Sequence, residues 1–264
     1  MDSKAIEEAA RVLREAQETK VPVAPVRNLL PDATVEDAYA VQKVNVRLAE
    51  KGGRRLIGWK VGLTAKAVQR QLGVDQPDFG ALFADFSVGD EEEVAIKNLL
   101  QPRVEAEVAF VLGEDLPEAP ITSIDVLQAT EFVVPAIEIV DSRVANWDIT
   151  IVDTVADNAS SAMVVVGPKP THLTDHQIDL RRVRMEMTAG GETVSEGTGA
   201  ACLGHPVNAV VWLANTLAAV GQPLQAGDFI MSGALGPMVG VKPGLTYEAH
   251  IEGLGSVRAA FSAE

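Results

Sequence analysis

The chain has a single cysteine, Cys202. No internal disulfide can form, and the expectation is a reducing compartment, the cytoplasm. Aromatic residues make up only 5% of the sequence, too few for the stacking platforms on which nucleic-acid bases are read. Basic residues are also scarce: 22 Lys and Arg against 37 Asp and Glu leave a formal charge of −15. That balance repels the phosphates of nucleic acid and of anionic membranes. No apolar run approaches the roughly 18 residues that a membrane span needs. The N-terminal stretch MDSKAIEEAARVLREAQ mixes charges into a helical pattern where a signal peptide would be apolar. These absences leave a soluble protein that handles a small molecule, with 47% hydrophobic residues to build its core. An anionic substrate would need local cations or a metal ion to hold it.

The first part of the chain reads as helical. Ala5, Ile6, Ala9, Val12, Leu13 and Ala16 recur at helical spacing. After a Pro-containing connection at Val21–Pro31, Thr34 and Asp37 have the spacing of a capping box. They open a second helix, with Ala38, Val41, Val44 and Leu48 on one face, that stops at Gly52-Gly53. A strand over Leu56–Leu63 and a short helix from Thr64 to about Gly73 follow. From Val94 the texture changes to short apolar runs punctuated by Gly and Pro, which read as strands at Val104–Leu112, Phe132–Val140, Ala162–Val166, Val183–Met187, Phe229–Ser232 and Tyr247–Ile251. Helices interrupt them at Ser123–Glu131 and Pro206–Val220, the latter with Pro near its start and Gly221 just past its end. The order is not the regular alternation of a doubly wound sheet. It predicts an α+β protein, with a helical N-terminal region over residues 1–55 and a mostly β catalytic domain over residues 56–264.

Three carboxylates interrupt two of the most apolar stretches: Glu105 and Glu107 in Val104–Leu112, and Glu138 in Phe132–Val140. Buried charge is costly unless something positive meets it, and neither stretch supplies a cation. On a strand, Glu105 and Glu107 point to one face while Val104, Ala106, Val108 and Phe110 take the other. An isolated Glu-x-Glu usually lines the solvent face of an edge strand. The third acid, set between Ile137 and Ile139, favours convergence of all three on a metal ion. An all-oxygen set selects a hard divalent cation, Mg²⁺ or Mn²⁺.

Lys60 lies in Gly58-Trp59-Lys60-Val61-Gly62, projecting between two glycines where a ligand could approach the backbone. A surface lysine on an edge strand fits the same pattern. Asp78, in the turn-rich Gln76–Gly80, reads on its own as a turn former. The Ser232–Gly236 loop offers backbone N–H groups to an anion, and Ser232 is a candidate for substrate binding; a tight turn would look the same. Asp153, Asp157, Asn158 and Ser160 form a polar cluster, either a turn or a site wall. His172 and His176 have the spacing of a zinc helix but sit in a polar, Pro-flanked segment without a catalytic Glu. Gly197-Thr198-Gly199 falls short of a dinucleotide-binding loop at the third glycine. His205 reads as a residue at a helix start.

IGWKVGLT, QPDFG, QPRVEAEVAFVL, PAIEIVDSR, DTVADNASS, LGHPVNAVVWLANTL and IEGLGSV occur in this order. As a set they resemble the 2-hydroxypenta-2,4-dienoate hydratase (2-keto-4-pentenoate hydratase) family and the related 4-oxalocrotonate decarboxylases, within the fumarylacetoacetate hydrolase superfamily. The resemblance runs from about Val35 to Phe261. It implies that superfamily's mixed β-roll with a small helical N-terminal region. It also implies metal ligation by Glu105, Glu107 and Glu138, substrate binding and acid–base work by Lys60 and Asp78, and a place near the substrate for Ser160. The implied reaction adds water to 2-hydroxypenta-2,4-dienoate, giving 4-hydroxy-2-oxopentanoate in the meta-cleavage catabolism of aromatic compounds. The implied assembly is a homo-oligomer, with a related decarboxylase or a downstream aldolase as partner. Two alternatives stand beside this. One is a decarboxylase of 4-oxalocrotonate, for whose second carboxylate Arg143 or Arg182 is the candidate cation. The other is a non-catalytic scaffold for a pathway partner, with no use for three costly acids. A C–C hydrolase is disfavoured because no histidine precedes the metal motif to activate water.

Overall fold

The fold is described from a computed structural model that covers residues 2–66, 69–70, 74–176 and 178–264, leaving out the side chains of 175 and 176. Helix α1 (Ser3–Thr19) starts where the Asp2 carboxylate accepts a bond from Lys4 N, and α2 (Val35–Lys51) opens on the complete Thr34–Asp37 capping box. Their apolar faces meet: Ala9, Ala10 and Leu13 pack with Ala38 and Val41, and also with Val144, Val155 and Ala156 from the middle of the chain. A small second core therefore ties the N-terminal helices to the segment around residue 150. The second half of the helix expected from Thr64 to Gly73 lies largely outside the described residues. No helix among the described residues is long and apolar enough to cross a membrane.

In chain order the strands begin with β1 (Leu56–Gly62), β2 (Asp78–Phe83), β3 (Ser87–Val88), β4 (Glu93–Val94), β5 (Arg103–Leu112) and β6 (Thr130–Val140). They continue with β7 (Ser161–Val166), β8 (Arg184–Ala189), β9 (Glu192–Thr198), β10 (Phe229–Ala234), β11 (Val239–Gly240), β12 (Thr246–Ile251) and β13 (Gly255–Phe261). The helices between them are α3 (Ser123–Ala129), α4 (Ile151–Ala156), α5 (Leu173–His176) and α6 (Pro206–Ala219). An eight-stranded mixed sheet runs β2-β1-β10-β5-β6-β7-β3, with β11 beside the start of β5; a five-stranded sheet runs β4-β13-β12-β8-β9. The two sheets and α6 enclose the main core, where Val104, Ala106, Val108 and Phe110 of β5 are buried. The larger sheet curls until β2 reaches the turn before β7. There the Asn158 side chain accepts from Ala81 N at 2.8 Å and donates to Ala81 O at 2.9 Å. The inner face of that curl carries the acids.

Apart from the Thr64–Gly73 helix, which falls largely outside the described residues, the expected strands and helices are present, and the structure adds several that the pattern did not show. The turn-rich stretch around Asp78 is strand β2, buried along its whole length; Pro77, Asp78 and Gly80 carry turn chemistry, which hides it. Strand β9 (ETVSEGT) is polar and mostly exposed, so it has no apolar alternation to read. The polar cluster around Asp153 is helix α4, a single turn and a half closed by a Thr150–Asp153 capping box.

Candidate functional site

Antiparallel pairing of β5 with β6 sets Glu105 directly opposite Glu138 and Glu107 opposite Ala136. Oxygens of Glu105, Glu107 and Glu138 lie within 4.8 Å of one another. Glu138 and Glu107 are buried and Glu105 partly so. Glu107 accepts a bond from Gly233 N at 2.7 Å. Both carboxylate oxygens of Glu138 lack a hydrogen-bond partner, although Lys60 Nζ stands 3.2 Å from Oε2. Burial first, and then the neighbouring acids, push Glu105 up to about 7 and raise Glu107 well above the usual carboxylate range. Burial also raises Glu138, against the pull of Lys60. An oxygen-only donor set with a buried, unpartnered Glu138 Oε1 and excess negative charge fits a hard divalent cation.

Lys60 and Asp78 flank these acids. Burial alone would lower the lysine, but Glu138, Asp78, Glu105 and Glu107 outweigh it and hold the ammonium above its ordinary range. Lys60 Nζ donates to Ala159 O at 2.9 Å. Asp78 lies opposite Gly62 in the β1–β2 ladder. One of its oxygens, Oδ1, is buried without a partner; the other is 3.5 Å from the Thr154 hydroxyl. Burial raises the Asp78 carboxyl, with Lys60 pulling the other way. The glycines around Lys60 make room for the protein's own atoms rather than for a ligand. A Cβ on Gly62 would sit 2.1 Å from Asp78 Oδ1, and one on Gly58 would sit 1.8 Å from Phe229 O.

The turn that presents the Ala159 carbonyl is strained. Asn158, Ala159 and Ser160 all have left-handed backbone, with φ of 54°, 51° and 55°. It is held from behind by Arg143, a buried side chain whose Nε lies 2.5 Å from Asp157 Oδ1. The same guanidinium donates to the carbonyls of Asp141, Ser161 and Asp157. Ser160 lines the cavity, with its hydroxyl 3.5 Å from Asp157 Oδ2.

Beside the acids opens a cavity of about 750 Å³, lined by Lys60, Asp78 and Glu105 together with Trp147, Pro237 and Met238, while Glu107 and Glu138 are not part of its lining. Ser232 is not in its wall: the hydroxyl donates to Val108 O at 2.7 Å, and the neighbouring Gly233 N–H is what reaches an acid. Neither cation expected to meet a second carboxylate stands there, since Arg143 is consumed by Asp157 and Arg182 pairs with Asp179 on the surface. His172 Nδ1 bonds Glu131 O, the side chain of His176 lies outside the described residues, and His205 caps α6 by accepting from Val207 N. Gly197 and Gly199 are packed against the backbone of Leu235 and Leu180. The Ser232–Gly236 loop does offer a backbone N–H to an anion, that of Gly233 to the Glu107 carboxylate, whereas Thr154, the Ala159 carbonyl, Trp147 and Arg103 are not picked out by the sequence. Only Arg103 left a signal, since it shares the parity of Glu105 and Glu107.

Residues 55–262 match the family described as Fumarylacetoacetate (FAA) hydrolase C-terminal. A 2-keto-4-pentenoate hydratase of Paraburkholderia xenovorans is 55% identical over 97% of this chain and 94% of its own length. The TodF product hydratase of Pseudomonas putida is also 55% identical, over 98% of this chain and 96% of its own. Among solved structures, 4-oxalocrotonate decarboxylase from Pseudomonas putida G7, complexed with magnesium and adipate, superposes with a TM-score of 0.94 at 37% identity, covering 99% of this chain and 98% of that one. With this family match over most of its length and these relatives over nearly all of it, the chain belongs to the fumarylacetoacetate hydrolase family, in the group of its 2-keto-4-pentenoate hydratases.

Proposed function

We propose that this protein is a hydro-lyase that adds water to 2-hydroxypenta-2,4-dienoate, giving 4-hydroxy-2-oxopentanoate, with Mg²⁺ or Mn²⁺ held by Glu105, Glu107 and Glu138. The observation that carries the reading is the convergence of Glu105, Glu107 and Glu138 oxygens within 4.8 Å of one another, Glu138 Oε1 buried without a partner, beside a cavity lined by Glu105, Lys60 and Asp78. The relatives at 55% identity, named as 2-keto-4-pentenoate hydratases, support the choice of substrate. When bound, the cation supplies electrophilic pull on the 2-oxygen and carboxylate of the substrate. Lys60, held cationic by its acidic surroundings, orients the substrate oxygens and balances the charge that builds on the 2-oxygen. Asp78, whose carboxyl is raised by burial, is the group assigned to deliver a proton to C5. The 2-hydroxyl proton is released and restores the Asp78 carboxyl, leaving an α,β-unsaturated ketone to which one water adds, its hydroxyl at C4 and its proton at C3. Ser160 lines the same cavity as Lys60 and Asp78, where it can meet the substrate.

The test is direct. The purified protein is incubated with 2-hydroxypenta-2,4-dienoate in Mg²⁺, in Mn²⁺ and in EDTA, and the diene absorbance is followed. Loss of the diene that requires the metal and releases no CO₂ is the expected result. A second reading, decarboxylation of 4-oxalocrotonate, is favoured by the full-length superposition on a decarboxylase, and CO₂ release from that diacid would select it. No metal-dependent turnover of either substrate would leave a scaffold role. The reading includes assembly into a homo-oligomer able to associate with a decarboxylase or aldolase of the same meta-cleavage route, measurable by sedimentation of the protein alone and mixed with each.

A further inference from the structure

Strand β2 carries Asp78 and lies at the end of the larger sheet, beside β1. The N–H and C=O groups that an edge strand turns outward need partners from elsewhere. Those of Ala81 are taken by Asn158. Those of Phe79, the neighbour of Asp78, are taken by two side chains of α2. Phe79 N donates to the Tyr39 hydroxyl at 3.2 Å, and Phe79 O accepts from Gln42 Nε2 at 2.9 Å. Tyr39 and Gln42 are three residues apart and so share one side of the helix. The Tyr39 ring also stacks on the Phe79 ring, centroids 4.4 Å apart, and Trp59 of β1 meets Phe79 edge-on at 5.7 Å. Gln42 is buried, and the same nitrogen makes a second bond, to Val155 O of α4 at 3.1 Å. Val155 follows Thr154, which lines the cavity with its hydroxyl 3.5 Å from Asp78 Oδ2.

A primary amide has two N–H donors, and Gln42 directs them to two different segments. One is the strand that holds Asp78; the other is the helix that holds Thr154. Each bond reaches the residue next to the functional one, so backbone is fixed while the Asp78 and Thr154 side chains keep their outlook on the cavity. We infer that Gln42 is a positioning residue for the proton transfer assigned to Asp78. From α2 it ties β2 to α4 and so sets the separation of the Asp78 carboxyl and the Thr154 hydroxyl, with Tyr39 holding the other backbone group of Phe79. An apolar side chain of the same length would leave two buried carbonyls short of a donor and let strand and helix part. The helices α1 and α2 contribute no residue to the described lining of the cavity, yet through Gln42 they belong to the catalytic unit. This rests on the reading of Asp78 as the proton carrier.

The experiment is a double-mutant cycle on turnover of 2-hydroxypenta-2,4-dienoate in saturating Mg²⁺, with wild type, Gln42→Met, Asp78→Asn and the double variant. Gln42→Met keeps the length of the side chain and removes both donors. It is expected to bind Mn²⁺ like wild type and to lose about tenfold in kcat, with KM changed less than about twofold. On the Asp78→Asn background the same substitution should change residual turnover less than about twofold, since the group it positions is gone. Equal losses on both backgrounds, or no loss in Gln42→Met, would overturn the inference. Tyr39→Phe keeps the ring stack and loses one bond, so it enters the same cycle if Gln42→Met does not fold; a smaller loss, present only with Asp78 in place, is expected. A readout free of turnover separates this inference from the hydratase reading: the ¹³C shifts of the Asp78 carboxyl and the Thr154 methyl in the metal-free protein. Both should move in Gln42→Met while the Glu138 carboxyl stays. If wild type consumes no diene and these shifts move, the substrate reading fails and the tie stands. If neither shift moves, the tie fails whatever the turnover.

Discussion

Glu105 and Glu138 are directly opposed across the β5–β6 ladder, two like charges where a sheet ordinarily places a matched pair. With Glu107 beside them and Lys60 shared among all three, the metal-free site holds more negative charge than its surroundings compensate. Replacing Glu138 by Gln removes one of these charges and keeps the shape. Glu138→Gln is expected to raise the melting temperature of the metal-free protein by a few degrees, about 1 kcal/mol in a chain of this size. The same variant, and Glu107→Ala, should weaken Mn²⁺ binding by on the order of a hundredfold or more and abolish metal-dependent turnover. Thermal melts with and without metal check both halves. Retained activity in Glu107→Ala would reject the ligand assignment.

The pH dependence of the metal-free protein follows from Glu105. Its ordinary value of 4.5 is raised to about 7 by burial and by Glu138. Folding therefore favours the protonated carboxyl, so the folded state binds more protons than the unfolded one between those values. Stability is highest below about 4.5 with respect to this group, falls as pH rises through about 7, and is flat above. A divalent ion should restore what is lost at the upper end. Denaturant midpoints measured from pH 5 to 8 in EDTA should slope downward, and saturating Mg²⁺ should flatten or reverse the slope. A midpoint that is independent of pH in EDTA would contradict the crowding of charge at this site.

Arg143 acts on the site through the turn it holds. Its guanidinium fastens Asp157, Asp141 and Ser161, and the turn so fixed presents the Ala159 carbonyl to Lys60. Arg143→Met leaves Asp157 buried and unpaired, at a cost of about 3–5 kcal/mol. Burial already raises Asp157 to about 6 even with the arginine present, so the variant should take up a proton there. The double variant Arg143→Met with Asp157→Asn is expected to recover part of the stability but not the turnover, since the strained turn at Asn158–Ser160 loses its clamp. Chemical denaturation of the single and double variants, paired with kcat and KM, distinguishes lost folding from a misplaced Lys60.

The acids were legible in the sequence because charge inside an apolar strand is an energetic anomaly that one chain displays without help. Their opposition was not, because register between β5 and β6 is set by the packing of whole sheets and no residue in either strand announces it. Lys60 was visible as a lysine on a glycine-flanked strand, but the reason for those glycines was misread: they clear space for Asp78 and for Phe229. Asp78 itself stood in a stretch whose Pro and Gly speak for a turn, and only its burial in β2 shows otherwise. The strand parity that Arg103 shares with Glu105 is visible in the sequence, but its stacking on Trp147, forty-four residues on, is a property of the fold.

Gly62 offers a test that touches the chemistry without removing a functional group. Its backbone lies directly beside Asp78 in the β1–β2 ladder, and a methyl group there would come within 2.1 Å of Asp78 Oδ1 and 3.4 Å of Lys60 Nζ. The first distance is inside any allowed contact, so the Asp78 carboxyl must rotate; the second is ordinary contact, so Lys60 can stay. Its φ is not in the left-handed region, so alanine meets no backbone strain there. Gly62→Ala is therefore expected to fold and to bind Mn²⁺ like wild type, because Glu105, Glu107 and Glu138 are untouched. Turnover should fall by about two orders of magnitude, mostly in kcat, the range associated with misplacing a general acid. Undiminished turnover would show that the position of Asp78 does not govern the reaction, and would remove the proton-delivery role assigned to it.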